Sequence, residues 1–330
     1  MRFRIRVAAL AAVVAACCIS TARADPPALR LPLDCTPGAD CWIANHVDLE
    51  PGAGTRDYSC GTLTYNGHEG TDFALRDLAA MREGMRVVAA AAGVVRGVRA
   101  QQALAHVESV KDRECGNGVR IDHGAGWYTL YCHLRRGSVT VKPGERVSAG
   151  QPLALVGLSG LTEYPHLHFS VRKEGAVVDP FRGEDPAGRC GSGARPLWDT
   201  ATLRALPYAP GAIYNFGVAP RLPETEGVRD GRYRTRELNR DAEAIVVWVE
   251  VFGTAAGDTL RLRVEAPGGD GFFERSVALE KPQARVYRAF GRKRGAQPWP
   301  TGSYRVTIAL DKPGGAAATP PAVHFSFDVR

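Results

Sequence analysis

Apolar residues along this 330-residue chain come in short runs. Between residues 31 and 181 the runs are cut by glycine turns, as in MREGMRVVAAAAGVVRGV (81–98), NGVRIDHGAGWYTLYCHL (117–134) and VKPGERVSAGQPLALVG (141–157). Short runs with turn signals at this density predict strands. A polar, glycine-rich stretch, RGEDPAGRCGSGARP (182–196), then reads as a linker held partly by Cys190. Beyond it AIVVWVEVFG (244–253), DTLRLRVEAP (258–267), FFERSVALE (272–280), GSYRVTIAL (302–310) and AVHFSFDV (322–329) alternate with period two. Five such strands between Gly and Pro turns predict a small β-sandwich. The expected fold class is all-β, in about two domains for this length. The expected division is 1–24 as a signal peptide, 25–60 as an N-terminal extension, 61–181 as the first β domain, 182–206 as a linker and 207–330 as the sandwich.

The amino terminus departs from this pattern. Arg2, Arg4 and Arg6 precede an apolar run over 7–19 and a small-x-small site at Ala22, Arg23 and Ala24. That layout predicts a cleavable export signal, cut after Ala24, with an apolar run shorter than the roughly 20 residues of a membrane span. The competing reading is a lipoprotein box ending at Cys17. No later segment is long and apolar enough to predict a transmembrane helix. Loss of Arg2, Arg4, Arg6 and Arg23 takes the 42 basic residues to 38 against 35 acidic ones, a net charge of +3 instead of +7. So mild a charge gives no ground for a nucleic-acid partner. Removing Cys17 and Cys18 from the eight cysteines leaves six, an even number that predicts disulfides in an oxidising compartment.

Candidate chemistry begins at PHLHFSV (165–171). Residues two apart in a strand share a face, so His166 and His168 sit side by side while Leu167 and Phe169 point into a core. In NGHEGTDFAL, His68 stands four residues before Asp72 with Gly67 and Gly70 between them, an imidazole and a carboxylate that zinc accepts. His133 closes YTLYCHL, a predicted strand. Taken singly, each has a bland reading: a polar strand face, a turn aspartate, a hydrogen-bonded core histidine.

Together NGHEGTD, VRIDHGAGWYTLYCHL, VKPGERVSAGQPLALVGLSG and PHLHFSV resemble the lysostaphin-type (LytM-type) zinc endopeptidases, which cleave peptide bonds in bacterial peptidoglycan. The resemblance covers roughly 61–181, under half of the chain. It implies a compact antiparallel β-sheet or partly open barrel, as in lipoyl-like carriers, built from a duplicated hybrid motif. It also implies one Zn2+ held by His68, Asp72 and His168, with His133 and His166 serving catalysis on a peptidoglycan peptide. The implied runner-up is a non-catalytic binding or regulatory module of the same fold acting on wall hydrolases. An exported metal-binding β-protein without activity is a third reading, and it makes no use of His133 and His166.

The residue types fit that chemistry. Catalytic zinc commonly has three protein ligands and an open fourth position; it lowers the pKa of water there toward about 7 and polarises a carbonyl. A histidine can take the proton and return one to the leaving amine. Which of His133 and His166 is the base stays open. No HExxH helix occurs, so a glutamate base is not expected. The chain departs from the family in the long segment 99–115, expected to rim the groove, and in LTEYPHLHF, which puts Glu163 and Tyr164 near the substrate. Tyr65 and Tyr58 are candidates for a carbonyl-polarising tyrosine. His46, His106, His123 and His324 read as structural.

The expected disulfides are Cys35 with Cys41, close in sequence, then Cys115 with Cys132, and Cys60 with Cys190 as the remaining pair. The second rests on a two-residue hairpin turn at His123 and Gly124, which pairs Asp122 with Ala125 and puts Cys115 opposite Cys132.

Overall fold

The computed structural model describes residues 25–102, 111–185, 189–313 and 320–330. The expected export signal with Cys17, and His106 with the centre of the 99–115 segment, lie outside the described residues. The first half runs through β1 (Cys41–Asn45), β2 (Thr71–Leu75), α1 (Leu78–Glu83), β3 (Arg86–Val88), β4 (Gly93–Arg99), β5 (Gly118–Gly124), β6 (Trp127–Cys132), β7 (Arg146–Val147), β8 (Pro152–Leu155), β9 (His166–Lys173) and β10 (Ala176–Val177). The second half follows with α2 (Thr200–Ala205), β11 (Ala212–Ala219), α3 (Thr225–Arg229), β12 (Glu237–Leu238), β13 (Ala244–Thr254), β14 (Thr259–Glu265), β15 (Gly271–Ala278), β16 (Gln283–Lys293), β17 (Gly302–Asp311) and β18 (Val323–Val329). The protein is nearly all-β, as its short periodic runs predict. Residues 81–83, expected at the start of a strand segment, instead end α1, which Asp77 caps by accepting from the Ala80 amide at 2.8 Å.

An eight-stranded sheet in the order β1-β2-β9-β6-β5-β4-β7, with β10 beside β9, carries the first core, and β3 pairs with β8 in a separate ribbon. Every ladder in these two sheets is antiparallel. The sheet ends on β1 and β7 and does not close into a barrel. Both edge strands are short, so the curvature that a barrel needs is never completed. Phe73, Leu167, Phe169, Tyr131 and Ile121 are fully buried on one face of it.

The segment 25–60 is more than an extension: β1 pairs with β2, and Leu29, Leu33 and Tyr58 join the first core. The expected linker also packs there through Leu197, Trp198 and Leu206, and backbone bonds join Leu29 to Leu197 and Asp199.

The second half is a three-stranded sheet, β11-β13-β16, packed on a five-stranded one, β12-β18-β17-β14-β15. The five strands expected from alternation appear there as β13, β14, β15, β17 and β18. Three more, β11, β16 and the two-residue β12, were hidden in the sequence. Strand β11 is buried on both faces, so AIYNFGVA reads as an apolar run and not as an alternation. Strand β16 is half exposed and rich in arginine, which masks its period. Ile213, Val247, Val249 and Val251 face the sandwich core, whereas Tyr214 and Phe252 meet Trp42 and Leu63 of the first half.

All three expected disulfides form, with Cα–Cα distances of 6.1 Å for Cys35–Cys41, 5.2 Å for Cys60–Cys190 and 4.8 Å for Cys115–Cys132. The hairpin argument for the third pair is nevertheless corrected. The turn lies at Ala125 and Gly126, with Gly124 opposite Trp127, Asp122 opposite Tyr128 and a bulge between Asp122 and Gly124. Cys115 therefore precedes β5 and reaches Cys132 from a loop.

Two buried carboxylates flank this core. Asp57 accepts from the amides of Ser59, Gly61 and Leu63 and from the Tyr208 hydroxyl, at 2.8–3.1 Å. Asp179 accepts the Phe181 and Arg182 amides on Oδ1 alone, and its Oδ2 is buried without a hydrogen bond. Burial, against those two amides, pushes the Asp179 carboxyl up to about 7. A carboxyl raised in the fold is harmless below its unfolded value, since both states are then protonated, and opposes folding as pH rises through the folded value. The thermal unfolding midpoint should accordingly carry an Asp179 component that declines between about pH 4 and 7. Asp179→Asn, which keeps the Oδ1 acceptor, should flatten that part of the profile and be the more stable chain above pH 7. Parallel profiles for the two chains would refute this.

Candidate metal centre

The site is assembled by register. Strand β9 lies between β2 and β6, with His168 opposite Asp72 on one side and Cys132 on the other, and with His166 opposite Ala74. Gly70 lets the loop before β2 press on this strand, since a Cβ there would lie 2.6 Å from the His168 imidazole. His68 reaches the same point from that loop. Its Nε2 stands 3.2 Å from both His168 Nδ1 and Asp72 Oδ2, and His168 Nδ1 stands 2.9 Å from Asp72 Oδ1. His68, Asp72 and His168 are thus brought together as a group able to hold a metal ion.

These spacings suit a small tetrahedral cation. Metal–nitrogen bonds of about 2.0–2.1 Å imply donor-to-donor edges of about 3.3–3.4 Å. The protonation pattern suits it too: His68 Nδ1 donates to the His46 carbonyl at 2.6 Å, which leaves Nε2 as the lone-pair nitrogen toward Asp72. Burial alone would raise the Asp72 carboxyl, but the charges of His166 and His68 and the bonds from His168 and His68 outweigh it and hold it well below the usual range. Burial would lower His68, and the Asp72 carboxylate overrides it and raises the ring.

His133 and His166 lie beside this group with ring centres 4.6 Å apart. The strand expected to contain His133 ends one residue earlier, at Cys132, and His133 itself adopts a left-handed backbone with φ of 62°. Several contacts hold it there: its amide bonds the Cys115 carbonyl at 2.8 Å, its Nδ1 donates to the Ser159 carbonyl at 2.8 Å, and the Cys115–Cys132 disulfide abuts it. Gly116 and Gly160, both at positive φ, let the 114–116 and 159–160 backbones touch, which any Cβ would prevent. His166 Nδ1 donates to the Tyr164 carbonyl at 2.9 Å, and its Nε2 is 3.5 Å from Asp72 Oδ1. Each ring therefore keeps Nε2 as its remaining basic nitrogen. Burial lowers both, His133 well below the ordinary range with help from the neighbouring charges of His166 and His168. At neutral pH both are proton acceptors.

Asn45, at the end of β1, was not legible as a site residue. Its Nδ2 donates to Asp72 Oδ2 at 2.9 Å and to the Tyr164 hydroxyl at 3.2 Å, while Tyr164 stacks on His166 at 4.5 Å. The one available signal was β1 pairing with β2, which a sequence pattern does not carry. Of the two candidate tyrosines, Tyr58 is buried against Phe181 away from the donors, whereas Tyr65 is exposed and lies 4.5 Å from the His68 ring. His123 is tied to Ala92 and Thr129, and His324 is exposed beside Thr307, as structural residues would be. His46 is enclosed by Tyr58, Phe181 and Tyr208, and its carbonyl accepts from His68 Nδ1. Asn45 and Tyr164 also border a cleft of about 760 Å³ whose far wall, with Tyr214, Phe252 and Arg285, belongs to the sandwich.

A β-sheet that presents two histidines and an aspartate at one point, with two further histidines alongside, has the layout of a metallopeptidase domain. Residues 66–180 match the model of Peptidase family M23, and the chain carries a domain of that family. Among its relatives, peptidoglycan DD-endopeptidase ShyA of Vibrio cholerae is 34% identical over 119 residues, which are 36% of this chain and 23% of the relative. Murein hydrolase activator EnvC of Escherichia coli is 44% identical over 62 residues, 19% of this chain and 14% of the relative. The chain thus spans less than a quarter of either relative. A solved zinc-containing peptidase from Vibrio cholerae is 29% identical, with a TM-score of 0.29 over 44% of this chain and 40% of its own.

Because Asn45 orients Asp72 without joining the donor group, Asn45→Ala should weaken metal retention about 10–100-fold without abolishing it. Competition with a chelator measures this, and a variant that holds metal as tightly as the parent would remove Asn45 from the site.

Proposed function

We propose that the protein is an exported zinc metalloendopeptidase that hydrolyses peptide bonds in bacterial peptidoglycan, with His68, Asp72 and His168 as metal ligands and His133 and His166 as catalytic groups. The observation that carries this reading is the placement of two backbone-anchored histidines beside the His68, Asp72 and His168 donor group. Zinc held by that set would supply Lewis acidity to the scissile carbonyl and acidify a water molecule. His133 and His166 would accept a proton at Nε2 and return it to the leaving amine, their rings fixed by the Ser159 and Tyr164 carbonyls. Asp72, kept ionised, would hold charge at the metal while Asn45 fixes its orientation. The peptide would lie along the cleft bordered by Asn45 and Tyr164.

Three disulfides among the described residues support export, and no helix there is long and apolar enough to cross a membrane. The catalytic unit would extend past residues 61–181 to include β1 and the packed segment through Leu206, with 207–330 as the sandwich unit.

The similarity to EnvC, a murein hydrolase activator, favours a second reading in which the chain regulates a wall hydrolase. A regulator has no need of the full set of five residues. Two measurements separate the readings: zinc content and release of peptide fragments from purified peptidoglycan. Zinc without fragment release would overturn the endopeptidase reading.

The two histidines of PHLHFSV should fail differently. His168→Ala removes one of three ligands and should lose most of its zinc together with its activity. His166→Ala and His133→Ala should keep near-stoichiometric zinc while turnover falls about 10²–10⁴-fold. The double variant should be less than additive if both act on one proton transfer. Equal zinc loss in His166→Ala and His168→Ala would sink the division into ligand and catalyst.

A further inference from the structure

Where the loop after β2 meets β11, β13 and the chain before β12, a second, smaller cavity of about 140 Å³ is bordered by Arg76, Arg234, Arg236, Trp248, Tyr233 and Asp77. Its donors outnumber its acceptors. Trp248 is 2% exposed and its Nε1–H is buried without a partner; Arg236 Nη1 and Arg76 Nε are also buried without a hydrogen bond. Asp77, the carboxylate on this wall, is largely spent, and Asn215 is the other side-chain acceptor there. Asp77 already takes the Ala80 amide and a two-pronged bond from Arg234, and Arg76 Nε stands 3.4 Å from it. Arg234 is further paired with Glu83 on the outside. Arg236 touches the rings of Phe216 and Phe325, at 5.3 and 4.3 Å, and has no carboxylate partner among the described residues.

Buried unpaired donors are costly, and more so when charged. Two guanidinium groups and an indole N–H around one cavity lower that cost together by binding an acceptor with several oxygens. We propose that this cavity binds a small oxyanion, a phosphate, a sulfate or the carboxylate group of a larger molecule, held by Arg76, Arg236 and the Trp248 N–H. Burial, and after it the charge of Arg76, holds the Arg236 guanidinium below its usual range, the direction expected of a cation whose counter-charge is yet to bind. Arg76 and Asp77 also border the 760 Å³ cleft that Asn45 and Tyr164 share. Arg76 follows β2 directly, four residues after Asp72, or about 13 Å of extended chain. An anionic group on a molecule in that cleft is therefore one source of the oxyanion, and a free ion is the other.

Calorimetric titration of the full chain with inorganic phosphate, and with sulfate, at constant ionic strength tests the site. The expected result is saturable binding of one ion, weakened at least tenfold in Arg236→Met and in Trp248→Phe and unchanged in His168→Ala. Absence of saturable binding would overturn the proposal, as would binding that vanishes in His168→Ala and survives in Trp248→Phe, which would place the ion on the metal centre. Trp248→Phe removes the N–H together with part of the buried indole, so Arg236→Met carries the test independently, and unfolding midpoints without anion verify that each variant is folded. In the parent chain, phosphate should also protect Arg76 and Arg236 from phenylglyoxal, and equal labelling with and without it would count against the site independently of any variant. A second arm rests on the peptidoglycan reading. A wall peptide with a free carboxylate that displaces phosphate, where its amide does not, identifies the substrate as the source; failure of both to displace it identifies a free ion.

Discussion

Strand β9 is hydrogen-bonded on both sides, and that double pairing fixes the candidate centre. Opposite β2 it places His168 against Asp72; opposite β6 it places His168 against Cys132, one residue from His133. A slip of one residue would turn Leu167, Phe169 and Val171 to the cleft and the histidines to the core. Those three apolar side chains are completely or almost completely buried, and burial of each is worth about 1.5–3 kcal/mol, so the core sets the register and the register sets the site. The chemistry is thereby carried by the same ladder that stabilises the sheet.

His133 is held by a different constraint. A left-handed backbone costs a non-glycine residue about 1–2 kcal/mol, and here a local lattice holds it: the Cys115 carbonyl on its amide, the Ser159 carbonyl on its ring, and the Cys115–Cys132 disulfide beside it. Gly116 and Gly160 make that lattice possible, because the two backbones approach more closely than any side chain permits. Three backbone carbonyls, of His46, Ser159 and Tyr164, take up Nδ1 of His68, His133 and His166 and leave Nε2 of each ring to the site.

How much of this was legible follows from which interactions leave a periodic trace. Five candidate site residues, His68, Asp72, His133, His166 and His168, stand in short local patterns, and the fold brings all five together. The all-β class and five sandwich strands were visible because each alternates against water on one face. Strand β11 was not, because Tyr214 on its second face meets Trp42 and Leu63, and a strand buried twice has no polar period. Asn45 and the His46 carbonyl act through tertiary pairing alone. The Cys115–Cys132 bond was reached by a register that the fold does not use, since the turn lies at Ala125 and Gly126 and a bulge falls between Asp122 and Gly124. A right pairing from a wrong turn shows that residue counting across a hairpin constrains proximity far better than register.

The same twice-buried sheet bears on what the sandwich does. A loosely tethered binding module would present a polar face to its neighbour, yet Tyr214 and Phe252 are buried against Trp42 and Leu63. Polar links reinforce the apolar seam: Arg234 bridges to Asp77 and Glu83, Arg82 reaches the Asp230 carbonyl, and Arg229 donates to the Glu163 carbonyl at 2.7 Å. The last of these falls in LTEYPHLHF, one residue before Tyr164 and three before His166. A residue of the second half thus steadies the loop that carries a candidate catalytic histidine into β9. Movement of the sandwich would then be felt first at Glu163, Tyr164 and the mouth of the cleft, while the donors on β2 and β9 stay locked by their ladder. The architecture sets the candidate metal centre on a sheet held by its ladders, and the second half of the chain supplies the far wall of the cleft beside it.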